Sequence, residues 1–282
     1  MSADYLLYGV LKALEMANMG AYNASKCLPI RGVYNIAPIK WVPDGKYKQQ
    51  LLSELMDGIK YADAAYAIPA KSVDHAAGDK ADVTLKPKEV FRYHHLTVDI
   101  YGRFHFPCNL NGYVAEKQGA DRKIMVGFSG TENAMNWKTN IVQYMFGPDT
   151  TYLLASEIVC LVASNRRKDN EEEIPIHVYG HSLGGGLMQY AICNCHADNI
   201  RGFGYNSAGL SCSTYEKCTN IKYERITHLY QPNDVVFTLP FTFQIGNAVK
   251  LLNSFHGISN THGLDVIRRE CGNPGQETAE IR

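Results

Sequence analysis

The chain carries no electrical bias. Lysine plus arginine number 28 and aspartate plus glutamate 28, a formal net charge of zero at pH 7. Without a basic excess there is no electrostatic footprint for gripping nucleic acid or an acidic membrane face, and no nucleic-acid partner is expected. Long hydrophobic runs are missing too. The longest, residues 158–163, falls far short of the ~20 residues that a membrane-spanning helix needs. The N-terminus shows no basic region ahead of an apolar stretch, so no signal peptide is read there. The expected location is cytoplasmic, or outside by a non-classical route. Eight cysteines in 282 residues are too few for a disulfide scaffold, and Cys193 and Cys195 make only a C-x-C. Structural thiols are expected, with an occasional disulfide left open and no metal or other cofactor. Internal repeats and low-complexity blocks are absent as well.

What is present is material for a core: 45% of residues are hydrophobic and only 20% charged. Residues 5–19 have helical spacing, residues 27–45 read as irregular, and residues 71–88 as a long polar loop. Between them Leu52, Leu55, Met56, Ile59, Ala62 and Tyr66 recur at i, i+3 and i+4, an amphipathic helix. From Phe91 the texture turns to strands over 96–100, 104–106 and 113–116, with breaks at 101–103 and 109–112. Residues 123–128 and 174–179 read as strands, 152–164 and 182–193 as helices, and 202–205 and 226–230 as further strands. Alternation of strand and helix predicts an α/β fold: a mostly parallel central sheet with helices on both faces and an antiparallel meander on its N-terminal side. The expected organisation is one domain over 1–282, with a core at about 48–270, a helical extension at 1–47 and a tail at 271–282.

The most informative segment is Val178-Tyr179-Gly180-His181-Ser182-Leu183-Gly184-Gly185. It contains G-x-S-x-G between an apolar strand and an apolar helix. A serine on so tight a strand-to-helix turn sits in a strained conformation, so its neighbours must be small; Gly180 and Gly184 meet that need. The turn lifts the hydroxyl clear of the sheet and aims a helix N-terminus at it. The bland alternative is a glycine-rich helix start with Ser182 as an N-cap. A dinucleotide-binding reading fails, because the glycines lack G-x-G-x-x-G spacing and its downstream acid.

Three segments together resemble the class 3 lipases, the fungal-lipase-like branch of the α/β-hydrolases. The Ser182 segment is similar to that family's nucleophile elbow. Gly127-Phe128-Ser129-Gly130-Thr131, followed by Asn136-Trp137-Lys138-Thr139-Asn140, is similar to its strand end and lid segment. Gln231-Pro232-Asn233-Asp234-Val235-Val236 is similar to the stretch carrying the triad acid. The order agrees, and the likeness covers about residues 48–269. Ser129, Asn136, Asn140 and Val236-Phe237 depart from the family pattern, which bears on lid anchoring and substrate choice.

The resemblance implies a serine carboxylic-ester hydrolase that forms an acyl-serine intermediate. Its implied substrates are acylglycerols or phospholipids, met at a lipid interface. A serine hydroxyl needs a base within reach and a third group to orient that base. The implied triad is Ser182, Asp234 and His262, with Asp198 and Asp265 as weaker acids and His256 as the rival base. His262 is favoured because it ends a polar loop and directly precedes a final helix. The backbone N–H of Leu183 and Thr131 are the implied oxyanion donors. Residues 136–146, with Trp137, read either as a lid or as an ordinary core helix. His181 is read as packing. The alternatives in function are an esterase on small or polysaccharide-linked esters and a non-catalytic hydrolase-like binding module. Oligomeric state is not legible.

Overall fold

The structure is a computed structural model that describes residues 39–41, 45–67, 89–93, 96–105, 110–117, 119–130, 150–167, 174–211, 214–215, 218, 223–231, 234, 236–237, 242–251 and 262–272. The expected helix at 5–19, the polar loop 71–88, Thr131, the segment 136–146 with Trp137, and His256 lie outside the described residues.

Among the described residues nine strands form one sheet. In chain order the elements are β1 (Ile39–Trp41), α1 (Lys46–Ala67), β2 (Glu89–Tyr93), β3 (Leu96–His105), β4 (Asn111–Lys117), β5 (Lys123–Phe128), α2 (Thr150–Arg167), β6 (Ile176–His181), α3 (Leu183–Asn194) and β7 (Ile200–Tyr205). Then follow β8 (Leu210–Ser211), a 3-10 turn at Tyr223–Arg225, β9 (Ile226–Tyr230), β10 (Thr242–Phe243), β11 (Gly246–Lys250) and α4 (Leu264–Gly272). The spatial order is β1-β11-β9-β7-β6-β5-β4-β3-β2, with β8 and β10 forming a separate pair. From β1 to β5 every neighbour is parallel, and from β5 to β2 every neighbour is antiparallel. This is the α/β-hydrolase-like arrangement, with its meander at the expected end.

The period-2 geometry of strands sorts the core into two layers. Ile124, Val126 and Phe128 of β5 and Ile176 and Val178 of β6 point to one face, against Ile158, Val159 and Val162 of α2 and Leu187, Met188 and Ala191 of α3. Met125 and Tyr179 point to the other, against Leu55, Ile59 and Ala62 of α1 and Leu264 and Ile267 of α4. Strands covered on both faces read as continuous apolar runs, and that is why 123–128 was legible as a strand. Removing Leu55 or Ile59 from water is worth roughly 1.5–3 kcal/mol each.

Three details differ from the sequence expectation, and a disulfide that it left open is present. Residues 101–103 are not a turn: β3 runs straight through them, with a register shift between Ile100 and Gly102 that marks a bulge. Glycine signals a bulge as readily as a hairpin. Met56, counted on the apolar face of α1, is exposed, and the buried stripe runs instead through Leu51, Leu55, Gly58, Ile59 and Ala62. Gly58 sits there because Tyr205 passes beside it to donate to the Leu55 carbonyl (2.6 Å), where a Cβ would collide with the Tyr205 hydroxyl oxygen. β1 and β11 were unread, being three and five residues long with no apolar run. Among the described residues a disulfide, Cys193–Cys218, ties the end of α3 to the segment ahead of β9. Among the described residues no helix is long and apolar enough to cross a membrane.

Candidate active site

A single residue, Ser182, joins β6 to α3. Its φ of 56° and ψ of −126° lie in a region that a side-chain-bearing residue avoids, a cost of about 1–3 kcal/mol. Local hydrogen bonds hold it there. Its N–H donates to the Tyr205 carbonyl (3.1 Å), and its own carbonyl accepts from Gly185 (3.0 Å), Gly186 (3.4 Å) and Ala208 (2.8 Å). The glycines are required by contact. A Cβ on Gly180 would land on the Gly184 carbonyl, and one on Gly184 on the Phe128 carbonyl of β5. The Ser182 hydroxyl makes no capping bond to α3, so the N-cap reading does not account for it. Leu183 opens the helix, among the first N–H groups that have no partner inside it.

Beyond β9, Asp234 is completely buried. Its Oδ1 accepts the Phe237 N–H (2.7 Å), and its own N–H donates to the Gln231 carbonyl (3.0 Å). Oδ2 accepts from Nδ1 of His262 at 2.6 Å. A carboxylate only accepts, so the neutral imidazole carries its proton on Nδ1 and keeps its lone pair on Nε2. His262 directly precedes α4, and with Ser182 it lines one cleft of about 270 Å³; Asp63, Tyr66, His181, Leu264 and Asp265 complete the lining. Asp63 is ion-paired to Arg268 of α4 at the rim.

The alternative acids are placed differently. Asp198 lies ahead of β7, at the N-terminal edge of the parallel strands, whereas Ser182 follows the C-terminal edge of β6. Asp265 lines the cleft but is exposed, in the first turn of α4. Thr131 lies outside the described residues, directly after Gly130. Gly130 itself closes on the elbow, where a Cβ would press on Ser182 and on the His181 carbonyl.

Two residues with no expected part in the site, His181 and Asn206, converge on His262, and Tyr66 joins them through His181. His181 is not mere packing: its Nε2 lies 2.7 Å from the His262 carbonyl, and its ring stands 4.7 Å from the His262 ring. Its Nδ1 lies 2.7 Å from the Tyr66 hydroxyl. Asn206, also at positive φ, donates from Nδ2 to the His262 carbonyl (3.3 Å) and to Gln231 Oε1 (3.2 Å), while its Oδ1 accepts the Gln231 N–H (2.9 Å). Burial, with the nearby His262 adding to it, holds the His181 imidazole uncharged, down at about 3. Sequence offered little sign of this set. Tyr66 completes an apolar helical stripe and Asn206 follows an unremarkable strand. Among the described residues no three His, Cys, Asp or Glu side chains gather into a metal-holding group.

Solved structures with the same fold include the Rhizomucor miehei lipase in complex with its propeptide, with 15% identity over 74% of this chain and 70% of that chain, at a TM-score of 0.50. A triacylglycerol lipase described as having a serine-protease triad at its catalytic centre matches at 15% identity, 74% and 82% coverage and a TM-score of 0.50. Lipase II from Rhizopus niveus matches at 16% identity, 73% and 82% coverage and a TM-score of 0.50. At such identities the likeness is one of fold. No curated protein matches in sequence. Residues 65–259, well over half of the chain and including both the elbow and Asp234, match the profile of the phospholipase-like Tle-like phospholipase domain. The protein belongs to the Tle-like phospholipase family of lipase-like hydrolases.

Proposed function

We propose that the protein cleaves acyl esters of phospholipids or acylglycerols through an acyl-Ser182 intermediate. The observation that carries this reading is the Asp234–His262 pair, closed at 2.6 Å, whose His262 lines one cleft with the strained Ser182. The family's description, a phospholipase domain, supports a lipid ester as the class of substrate.

Nε2 of His262 takes the hydroxyl proton as Ser182 Oγ attacks the ester carbonyl. Negative charge gathers on the former carbonyl oxygen, met by the N–H of Leu183 at the start of α3 and by Thr131, the residue after Gly130. The imidazolium, stabilised by the Asp234 carboxylate, then gives its proton to the departing alcohol, and an acyl-serine remains. Water attacks that acyl group, His262 again accepting and returning the proton, and a fatty acid leaves. The balance is one ester and one water to one alcohol and one acid.

The test is labelling of the full chain with a fluorophosphonate followed by peptide mapping, together with Ser182→Ala. Ser182 should carry the label, and the variant should fold while losing up to ~10⁶-fold in turnover. A variant that keeps a tenth of wild-type activity refutes the assignment.

A further inference from the structure

The bonds around His181 admit only one arrangement of protons. The carbonyl of His262 accepts and cannot donate, so the proton of the neutral His181 ring sits on Nε2, 2.7 Å away. Nδ1 of the same ring is then an acceptor, and the Tyr66 hydroxyl at 2.7 Å must be its donor. That leaves the Tyr66 oxygen to accept, and the Gly130 N–H donates to it at 2.8 Å. Four groups thus form one directed chain, Gly130 N–H to Tyr66 O–H to His181 to the His262 carbonyl. Its members are far apart in sequence: Gly130 follows β5, Tyr66 lies in the last turn of α1, His181 ends β6 and His262 precedes α4.

Both ends of the chain lie next to groups that the reaction must hold in register. Gly130 immediately precedes Thr131, and a Cβ on Gly130 would press on Ser182 as well as on the Tyr66 hydroxyl. At the other end, the His262 carbonyl belongs to the base itself and is gripped from a second side by Asn206. The His262 ring is held by Asp234, but that bond leaves the backbone of its loop to be fixed by something else. His181 and Asn206 supply that restraint.

We infer that Tyr66 and His181 are positioning residues that tie the strand end beside the oxyanion hole to the backbone of the catalytic base. The inference rests on the triad reading above. The two side chains fix the separation between the place where charge develops and the place where the proton goes. A displacement on the order of 1 Å at a reacting group costs about 100-fold, so losing one bond of the chain is expected to cost about 10–100-fold in kcat. The uncharged state of His181 is part of the device, since a second ring proton would donate to the Tyr66 oxygen and turn the Tyr66 proton away from His181.

The experiment uses the full chain and a soluble p-nitrophenyl ester, with Tyr66→Phe, His181→Gln and His181→Asn beside wild type. Thermal midpoints and Ser182 labelling by a fluorophosphonate are recorded for each. Gln places its amide N–H₂ where Nε2 lay and keeps the donor to the His262 carbonyl. Asn is shorter, can serve Tyr66 only, and leaves that carbonyl without the His181 donor. Tyr66→Phe should lower kcat about 10–100-fold with little change in midpoint, and His181→Asn should fall about tenfold further than His181→Gln. The proton on Nδ1 of His262, seen as a downfield NMR resonance without substrate, should shift or broaden in Tyr66→Phe and His181→Asn. Packing alone predicts equal losses for Gln and Asn and an unmoved resonance, and that result overturns the inference. So does a Tyr66→Phe enzyme within twofold of wild-type kcat. A wild-type Ser182 that takes no label overturns the triad reading itself, and the inference with it; a labelled Ser182 with a fully active Tyr66→Phe overturns the inference alone.

Discussion

Exchanging Asp234 for asparagine changes one atom and should disable the base completely enough to measure. The carboxylate has its two oxygens committed to different partners: Oδ1 accepts the Phe237 N–H at 2.7 Å and Oδ2 accepts from His262 at 2.6 Å. In Asp234→Asn the Phe237 N–H can be met only by the amide oxygen. The NH₂ must then face His262, and because an NH₂ donates, Nδ1 is obliged to accept. The ring proton moves to Nε2, the atom that should take the Ser182 proton, and the base is blocked in its wrong tautomer. The fold should survive, since the exchange is isosteric and the Phe237 bond is kept. The loss should be on the order of 10⁴-fold in kcat, the scale seen when the same exchange is made in a Ser-His-Asp triad, or about 5.5 kcal/mol of transition-state stabilisation. The assay is turnover of a soluble chromogenic ester near neutral pH, with circular dichroism and a thermal melt run alongside. A folded Asp234→Asn enzyme within tenfold of wild type would refute the reasoning and release Asp234 from its role.

Two further outcomes concern stability. The Cys193–Cys218 bridge closes a 25-residue separation, which should restrain the unfolded chain by about 3.5 kcal/mol. Cys218→Ser and reduced wild type should therefore show the same lowered denaturant midpoint, and unchanged midpoints in both would refute that ledger. Burial holds His181 and His228 uncharged in the folded chain, down at about 3 and about 4, while an unfolded imidazole titrates near ~6.5. Below that value the unfolded chain takes up protons that the folded chain refuses. Stability present above pH ~6.5 should thus fall as pH drops towards ~4, by up to about 2.7 kcal/mol per pH unit for the pair. Urea melts at pH 7, 6 and 5 read this directly, and a flat profile contradicts it.

The elbow was legible because everything it needs is local: an apolar strand, glycines two residues to either side of Ser182, and an apolar helix, all within one short segment. The layered core was legible for the same reason, as β5 and β6 write their burial into runs of Val, Ile and Met. Asp234 and His262 stand 28 residues apart, and no periodicity joins them; only the resemblance of the surrounding segments suggested the pair. Tyr66 and His181 are separated by 115 residues and were hidden differently. Each has an adequate local explanation, one as an apolar helix position and the other as the variable residue of the elbow. A side chain with a sufficient local reason gives no hint of a second, long-range one. The edge pair β1 and β11 was invisible because short strands at a sheet margin borrow their definition from the partner they pair with.

That edge has a consequence for synthesis. Ile39 pairs with Gly246 and Trp41 with Ala248, so this margin joins segments about 200 residues apart, among the costliest pairings to close. A ribosome adding about 5–20 residues per second needs roughly 10–40 s between the two strands. The block from β2 to β7, elbow included, leaves the exit tunnel in that interval with the flank of β7 still open. Asp234 and His262 arrive later still, on either side of β11. The nascent chain therefore displays Ser182 before Asp234 and His262 have emerged, so the proposed triad completes only near the end of synthesis.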